Sequence, residues 1–188
     1  MNPAPNLVLV GPMGAGKSSI GRRLAGRFGL DFVDADREIE ARTGASIPTI
    51  FECEGETGFR AREAATLAEL LARDGLVVAT GGGAVLDAGS RRQMRERGFV
   101  VHLQVSLARQ LERLARDRSR PLLAGDDRAD VLRRLTETRA PLYAEVADLC
   151  FDTNNLFPPQ ATEQLARLLD ARWTRAAPTQ TDLQGSPA

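Results

Sequence analysis

The turn Gly11-Pro-Met-Gly-Ala-Gly-Lys17-Ser18 follows the apolar run Asn6–Val10 (NLVLV) and opens the helix-forming run SSIGRRLAGRF. It fits GxxxxGKS in the setting that gives the pattern meaning, after a strand and before a helix. Glycines let the backbone bend tightly and turn N–H groups inward, and the helix that follows offers its positive dipole end to phosphates. In such a turn the lysine ammonium reaches the β- and γ-phosphates of a nucleotide, and the next hydroxyl supplies a hard oxygen to magnesium. Lys17 and Ser18 stand at those positions. Lys17 is also the only lysine in a chain whose other basic residues are all arginine, which marks a site needing a compact ammonium on a flexible stem.

Short runs rich in β-branched residues alternate with stretches of helical period, the pattern of βαβ units and a parallel sheet. The expected class is α/β with five parallel strands at Asn6–Val10, Asp31–Asp34, Leu76–Thr80, Phe99–Val105 and Leu149–Asp152. Helices are expected over Lys17–Phe28, Asp36–Thr43, Ile47–Cys53, Glu56–Ala72, Ala88–Arg97, Ser106–Arg116, Arg128–Ala147 and Pro158–Trp173, with Asp36, Ser106 and Pro158 as caps. The 188 residues, 43% of them apolar, suit one domain over 1–174, and the small polar run at 175–188 reads as a disordered tail.

The 25 basic and 25 acidic side chains cancel, so the charge balance implies neither a nucleic-acid nor a membrane partner. No apolar run reaches the length of a membrane span, and MNPAPNLVLV lacks the pattern of a secretory signal, so a cytoplasmic protein is expected. No exposed apolar stripe stands out, which favours a monomer. Cys53 and Cys150 are far apart and lack metal-ligand spacing, which disfavours a disulfide scaffold or a structural zinc site.

Asp34 and Asp36 end the second strand in FVDAD, and a period of two would put both carboxylates on one side of an extended chain. Asp34 could hold magnesium through water and Asp36 could orient or deprotonate a hydroxyl acceptor, unless Asp36 only caps the helix it precedes. Thr80-Gly81-Gly82-Gly83 should emerge at the same carboxyl edge of the sheet, as a ligand-facing backbone or as an ordinary tight turn. Arg60 reads either as a ligand residue or as a surface partner of Glu63 at i,i+3, and Arg139 precedes Ala140-Pro141, where a helix should bend. Arg91, Arg92, Arg95 and Arg97 read as a solvated helix face, and His102 as a packed residue within an apolar strand. The segment 116–127 breaks helical period, and its Arg120 suits electrostatic stabilisation of a transferring phosphoryl group if the loop closes as a lid.

Taken together, GPMGAGKSSIGRRLA, FVDADREIE, SIPTIFECEGETGFRAREA, VVATGGGAV, RPLLAG and RAPLY resemble the shikimate kinase family in order and spacing, over roughly Asn6 to Trp173. That resemblance implies a P-loop, three-layer α/β/α fold with a five-stranded parallel sheet, similar to nucleoside monophosphate kinases. It implies transfer of the ATP γ-phosphate to the 3-hydroxyl of shikimate, with magnesium as cofactor, on the way to chorismate and the aromatic amino acids. Residues matching the family's nucleotide contacts are Gly14, Ala15, Gly16, Lys17, Ser18, Ser19, Arg113, Arg120 and Pro158. Arg113 matches an adenine neighbour, Arg120 the lid arginine, and Asp34 the residue near magnesium. Asp36, Arg60, Gly81, Gly82 and Arg139 match the acceptor site, the two arginines as a clamp for its carboxylate. The basic side chains often found before the matching proline are replaced by Asn155 and Leu156. A kinase for another hydroxylated metabolite such as gluconate, and a nucleotide-binding regulator without catalysis, are the competing readings.

Overall fold

The computed structural model describes residues 2–115 and 127–175. Its elements are β1 (Asn2–Ala4), β2 (Asn6–Val10), α1 (Lys17–Phe28), β3 (Asp31–Asp34), α2 (Ala35–Thr43), α3 (Ile47–Ala72), β4 (Leu76–Ala79), α4 (Ala88–Arg97), β5 (Gly98–Gln104), α5 (Leu107–Leu114), α6 (Arg128–Val146), β6 (Leu149–Asp152), α7 (Pro158–Arg172) and β7 (Trp173–Arg175). The five expected strands form one parallel sheet in the order β3-β4-β2-β5-β6. Strand β2 occupies the centre, so the glycine turn that follows it leaves from the middle of the carboxyl edge.

Nearly every residue of β2, β4 and β5 is buried because helices cover both faces of the sheet. Leu7 and Leu9 pack with Ile20, Leu24, Leu165 and Leu169 of α1 and α7 on one side. The alternate residues Val8 and Val10 pack with Leu67, Leu70, Met94 and Tyr143 of α3, α4 and α6 on the other. Period-two alternation thus divides one hydrophobic run between two cores, giving the three-layer arrangement.

Several local expectations change. Asp34, not Asp36, caps α2, accepting from Arg37 N at 3.4 Å; the helix starts one residue earlier because the extended chain ends at Asp34. Ser106 caps α5 as expected, while α7 is capped by Phe157, with Pro158 at its first position, where a missing N–H costs nothing. The two expected helices at 47–53 and 56–72 run as one element, broken by Gly55 at φ 69°. Pro141 stands inside α6. Arg91 and Arg97 are not merely solvated: Arg91 donates to Val85 O at 2.8 Å and pairs with Glu145, and Arg97 donates to Leu71 O at 3.0 Å and pairs with Asp74. Thr174 and Arg175 belong to β7, which pairs in parallel with β1 while Trp173 Nε1 donates to Ala4 O at 3.0 Å. This small second sheet is invisible to strand periodicity because each strand has only three residues. The expected lid, apart from Asp127, and the remainder of the expected tail lie outside the described residues.

One buried polar residue ties the amino-terminal edge of the sheet together. Asn6 is fully buried; its Nδ2 donates to Arg73 O at 2.7 Å and Arg97 O at 3.2 Å, and its Oδ1 accepts from Leu76 N at 2.9 Å. Replacing it with alanine strands two carbonyls and an N–H in the interior, so Asn6→Ala should lower unfolding free energy by about 2–4 kcal/mol, read by urea denaturation. His102 is also buried, its ring 4.9 Å from that of Tyr143. Burial, assisted by the positive charge of Lys17, pushes its imidazole from 6.5 down to about 4. Since the unfolded chain takes up that proton first, His102 withdraws stability as pH falls through this interval. As the only histidine, it should give a single imidazole NMR titration with a midpoint near 4; a midpoint at the ordinary value would mean that the ring is exposed.

Candidate active site

The glycine turn is held in shape from three directions. Gly11 has φ 140°, and a methyl group there would lie 2.4 Å from Leu103 O, so only glycine lets the end of β2 pass β5 this closely. Lys17 Nζ donates back to Gly11 O at 2.7 Å and Pro12 O at 2.9 Å. Arg113 of α5 donates to Gly14 O at 2.8 Å and Thr153 O at 2.7 Å, tying the turn to the chain beyond β6. Helix α1 begins after its cap Gly16, φ 93°, with no side-chain cap and no acidic residue in its first turn. Its first N–H groups and Lys17 therefore favour an anion.

A cavity of about 580 Å³ opens from this turn along the carboxyl edge of the sheet. Gly14, Gly16, Lys17, Ser18 and Ser19 line one end. Asp36, Arg60, Gly81, Gly82 and Arg139 line the other, with Asp34 also on the wall. Ala15 is buried and does not line the cavity, nor do Arg113 and Pro158; Arg120 lies outside the described residues. Ser18 Oγ donates to Asp34 Oδ2 at 2.5 Å, setting two hard oxygens side by side. Asp36 reaches the cavity from the first turn of α2, not by strand alternation with Asp34, because the strand has already ended.

Two of the three glycines, Gly81 and Gly83, stand directly under charged side-chain tips. A methyl group at Gly81 would come within 2.1 Å of Glu63 Oε1 and 2.9 Å of Asp36 Oδ1, and one at Gly83 within 2.3 Å of Arg60 Nη1. Charged side chains from α2 and α3 therefore rest directly on this backbone. Arg60 Nη1 donates to Glu63 Oε2 at 2.6 Å. The pair is no surface contact, since only 3% of the Glu63 side chain is exposed. Burial raises the Glu63 carboxyl above its ordinary range, with Arg60 opposing. Burial also weakens the proton affinity of Arg60, but Glu63 and Glu56 outweigh it and leave the guanidinium firmly charged. Arg139 is 4% exposed, and its pKa falls through burial, with repulsion from Arg60 adding to the fall. Two guanidiniums lining one cavity, close enough to repel, suit a planar anion, and a carboxylate fits by charge and shape.

Sequence reasoning missed three contributions to this wall. Glu63 had a signal in its spacing from Arg60, but burial changes its meaning. Phe51 and Phe59, ring centroids 4.8 Å apart, supply an apolar side, and only the break at Gly55 brings them together. Glu40 accepts from Ile47 N at 3.0 Å and anchors the start of α3 beside the cavity. Among the described residues no group of three or more His, Cys, Asp or Glu could hold a metal by itself.

A family model described as shikimate kinase matches residues 13–170. The shikimate kinase of Xanthomonas campestris pv. campestris strain 8004 is 61% identical over 173 residues, covering 92% of this chain and 96% of that protein. That of Stenotrophomonas maltophilia R551-3 is 59% identical over 175 residues, covering 93% and 97%. The solved shikimate kinase of Acinetobacter baumannii in complex with shikimate superposes with a TM-score of 0.87 at 47% identity, covering 89% of this chain and 94% of that one. With the phosphate-binding turn and the paired guanidiniums lining one cavity, and with similarity over nearly the full length of these relatives, the chain belongs to the shikimate kinase family.

Proposed function

We propose that the protein transfers the γ-phosphate of ATP to the 3-hydroxyl of shikimate, giving shikimate 3-phosphate and ADP in the route to chorismate and the aromatic amino acids. The observation that carries this reading is the pairing of two guanidiniums, the buried Arg139 and the half-buried Arg60, with the Asp36 carboxylate in the cavity that also receives Lys17 and Ser18. Shikimate offers a carboxylate for the arginines and ring hydroxyls for the aspartate, and the solved Acinetobacter baumannii relative is in complex with it.

In this reading Gly14, Ala15, Gly16 and Ser19 present backbone and side-chain donors to the phosphates, and Lys17 draws off charge as it develops on the γ-phosphoryl oxygens. Asp36 orients the 3-hydroxyl and accepts its proton as the oxygen attacks in line. The backbone at Gly81 and Gly82 supports the ring. Arg120 completes the positive surround, and Arg113 and Pro158 flank the adenine. Magnesium, when bound, neutralises charge on the β- and γ-phosphates. Ser18 and Asp34 would hold it, Asp34 through water; their adjacent hard oxygens suit that ion, and phosphates supply the remaining ligands. No helix among the described residues is long and apolar enough to cross a membrane, and a cytoplasmic monomer is the simplest setting.

ADP release with magnesium ATP should depend on shikimate and not on gluconate, and should fall to background with excess EDTA. Release stimulated by gluconate alone would overturn the acceptor assignment; release by neither would favour a binding protein without catalysis. Asp36→Ala should retain ATP binding, measured by calorimetry, while turnover falls by about 10²–10⁴-fold; wild-type turnover would remove Asp36 from the chemistry.

A further inference from the structure

Tyr143 is the only tyrosine in the chain and has no part in the chemistry above. It lies on α6 four residues after Arg139, so the two side chains share one helix face. It is buried, at 2% exposure, and its hydroxyl donates to Gly82 O at 2.6 Å. With its one proton committed to that carbonyl, the hydroxyl holds Gly82 from the side on which the Arg139 guanidinium also approaches it.

Arg139, Tyr143 and the start of the phosphate-binding turn converge on Gly82. A methyl group there would stand 3.4 Å from Arg139 Nη1 and 3.7 Å from both the Tyr143 hydroxyl and Gly11 O. The peptide bonds of the described chain are trans, so fixing the Gly82 carbonyl also fixes the opposed N–H of Gly83. Arg139 Nε is buried without a hydrogen-bond partner, so the guanidinium is not gripped at every donor. Its setting therefore depends on the backbone beside it at Gly82, which the Tyr143 hydroxyl holds. The tyrosine ring is itself held against His102.

We propose that Tyr143 is a positioning residue of the acceptor site, whose hydroxyl holds the Gly82–Gly83 peptide against which the Arg139 guanidinium rests and thereby sets acceptor affinity. The inference rests on the reading that the acceptor carboxylate lies between Arg60 and Arg139. Tyr143→Phe keeps the ring against His102 and removes only the hydroxyl.

Steady-state kinetics of wild type and Tyr143→Phe, varying shikimate and ATP separately, test it. The expected result is a rise of about tenfold in KM for shikimate, with KM for ATP and kcat within about threefold of wild type. Parallel rises in both KM values, or an unchanged shikimate KM, would overturn it, since a general loosening of the core does not discriminate between substrates. A second measurement stands even if the variant fails to fold. Shikimate should perturb the near-UV tyrosine absorption of the wild-type protein with saturation matching its binding, because Trp173 packs in the core on the opposite face of the sheet. A silent tyrosine band would overturn the inference. Wild-type protein inert toward shikimate would defeat the acceptor reading and this inference together; an active wild type with an unaffected variant would defeat this inference alone.

Discussion

The site depends on how closely backbone can approach backbone at the end of β2. Gly11 passes Leu103 O at a distance that excludes any side chain. The central strand can therefore turn over β5 and deliver the next residues as an open ring of amide donors. A substituent here would push the turn away from the sheet, and α1 would begin elsewhere. Because β2 is the middle strand, every other group in the cavity is placed relative to this bend.

The acceptor end follows a different constraint, the management of buried charge. Arg60, Glu63 and Arg139 are largely removed from water, where unpaired charges are costly. Glu63 balances only part of the positive charge, and burial, with repulsion from Arg60 adding to it, depresses the proton affinity of Arg139. In the proposed reading an acceptor carboxylate relieves that imbalance. The glycines at 81 and 83 are the geometric condition for this arrangement, since they let the charged tips rest against the main chain.

Hydrophobic periodicity made the five-stranded sheet and most helices legible, because each strand of the sheet interior is buried on both faces and each helix on one. The misses share a cause. The pairing of β1 with β7 joins segments too short to show a period. Asp34 and Asp36 were expected to share a side by strand alternation, yet they meet at the cavity because the chain passes from strand into helix between them. Arg60 and Glu63 looked like an exposed pair one helical turn apart, and only packing shows Glu63 to be interior.

By itself, the sequence determined the phosphate-binding turn, because its glycines, lysine and hydroxyl act through local backbone geometry and fixed spacing. It also determined the fold class, because burial on one or two faces writes itself into residue periodicity. The tertiary structure alone decided which charges lose their water, where the caps fall, and that Tyr143 reaches Gly82 across 61 residues of chain. Desolvation and long-range hydrogen bonding belong to the folded arrangement, and no residue carries them before its neighbours are in place.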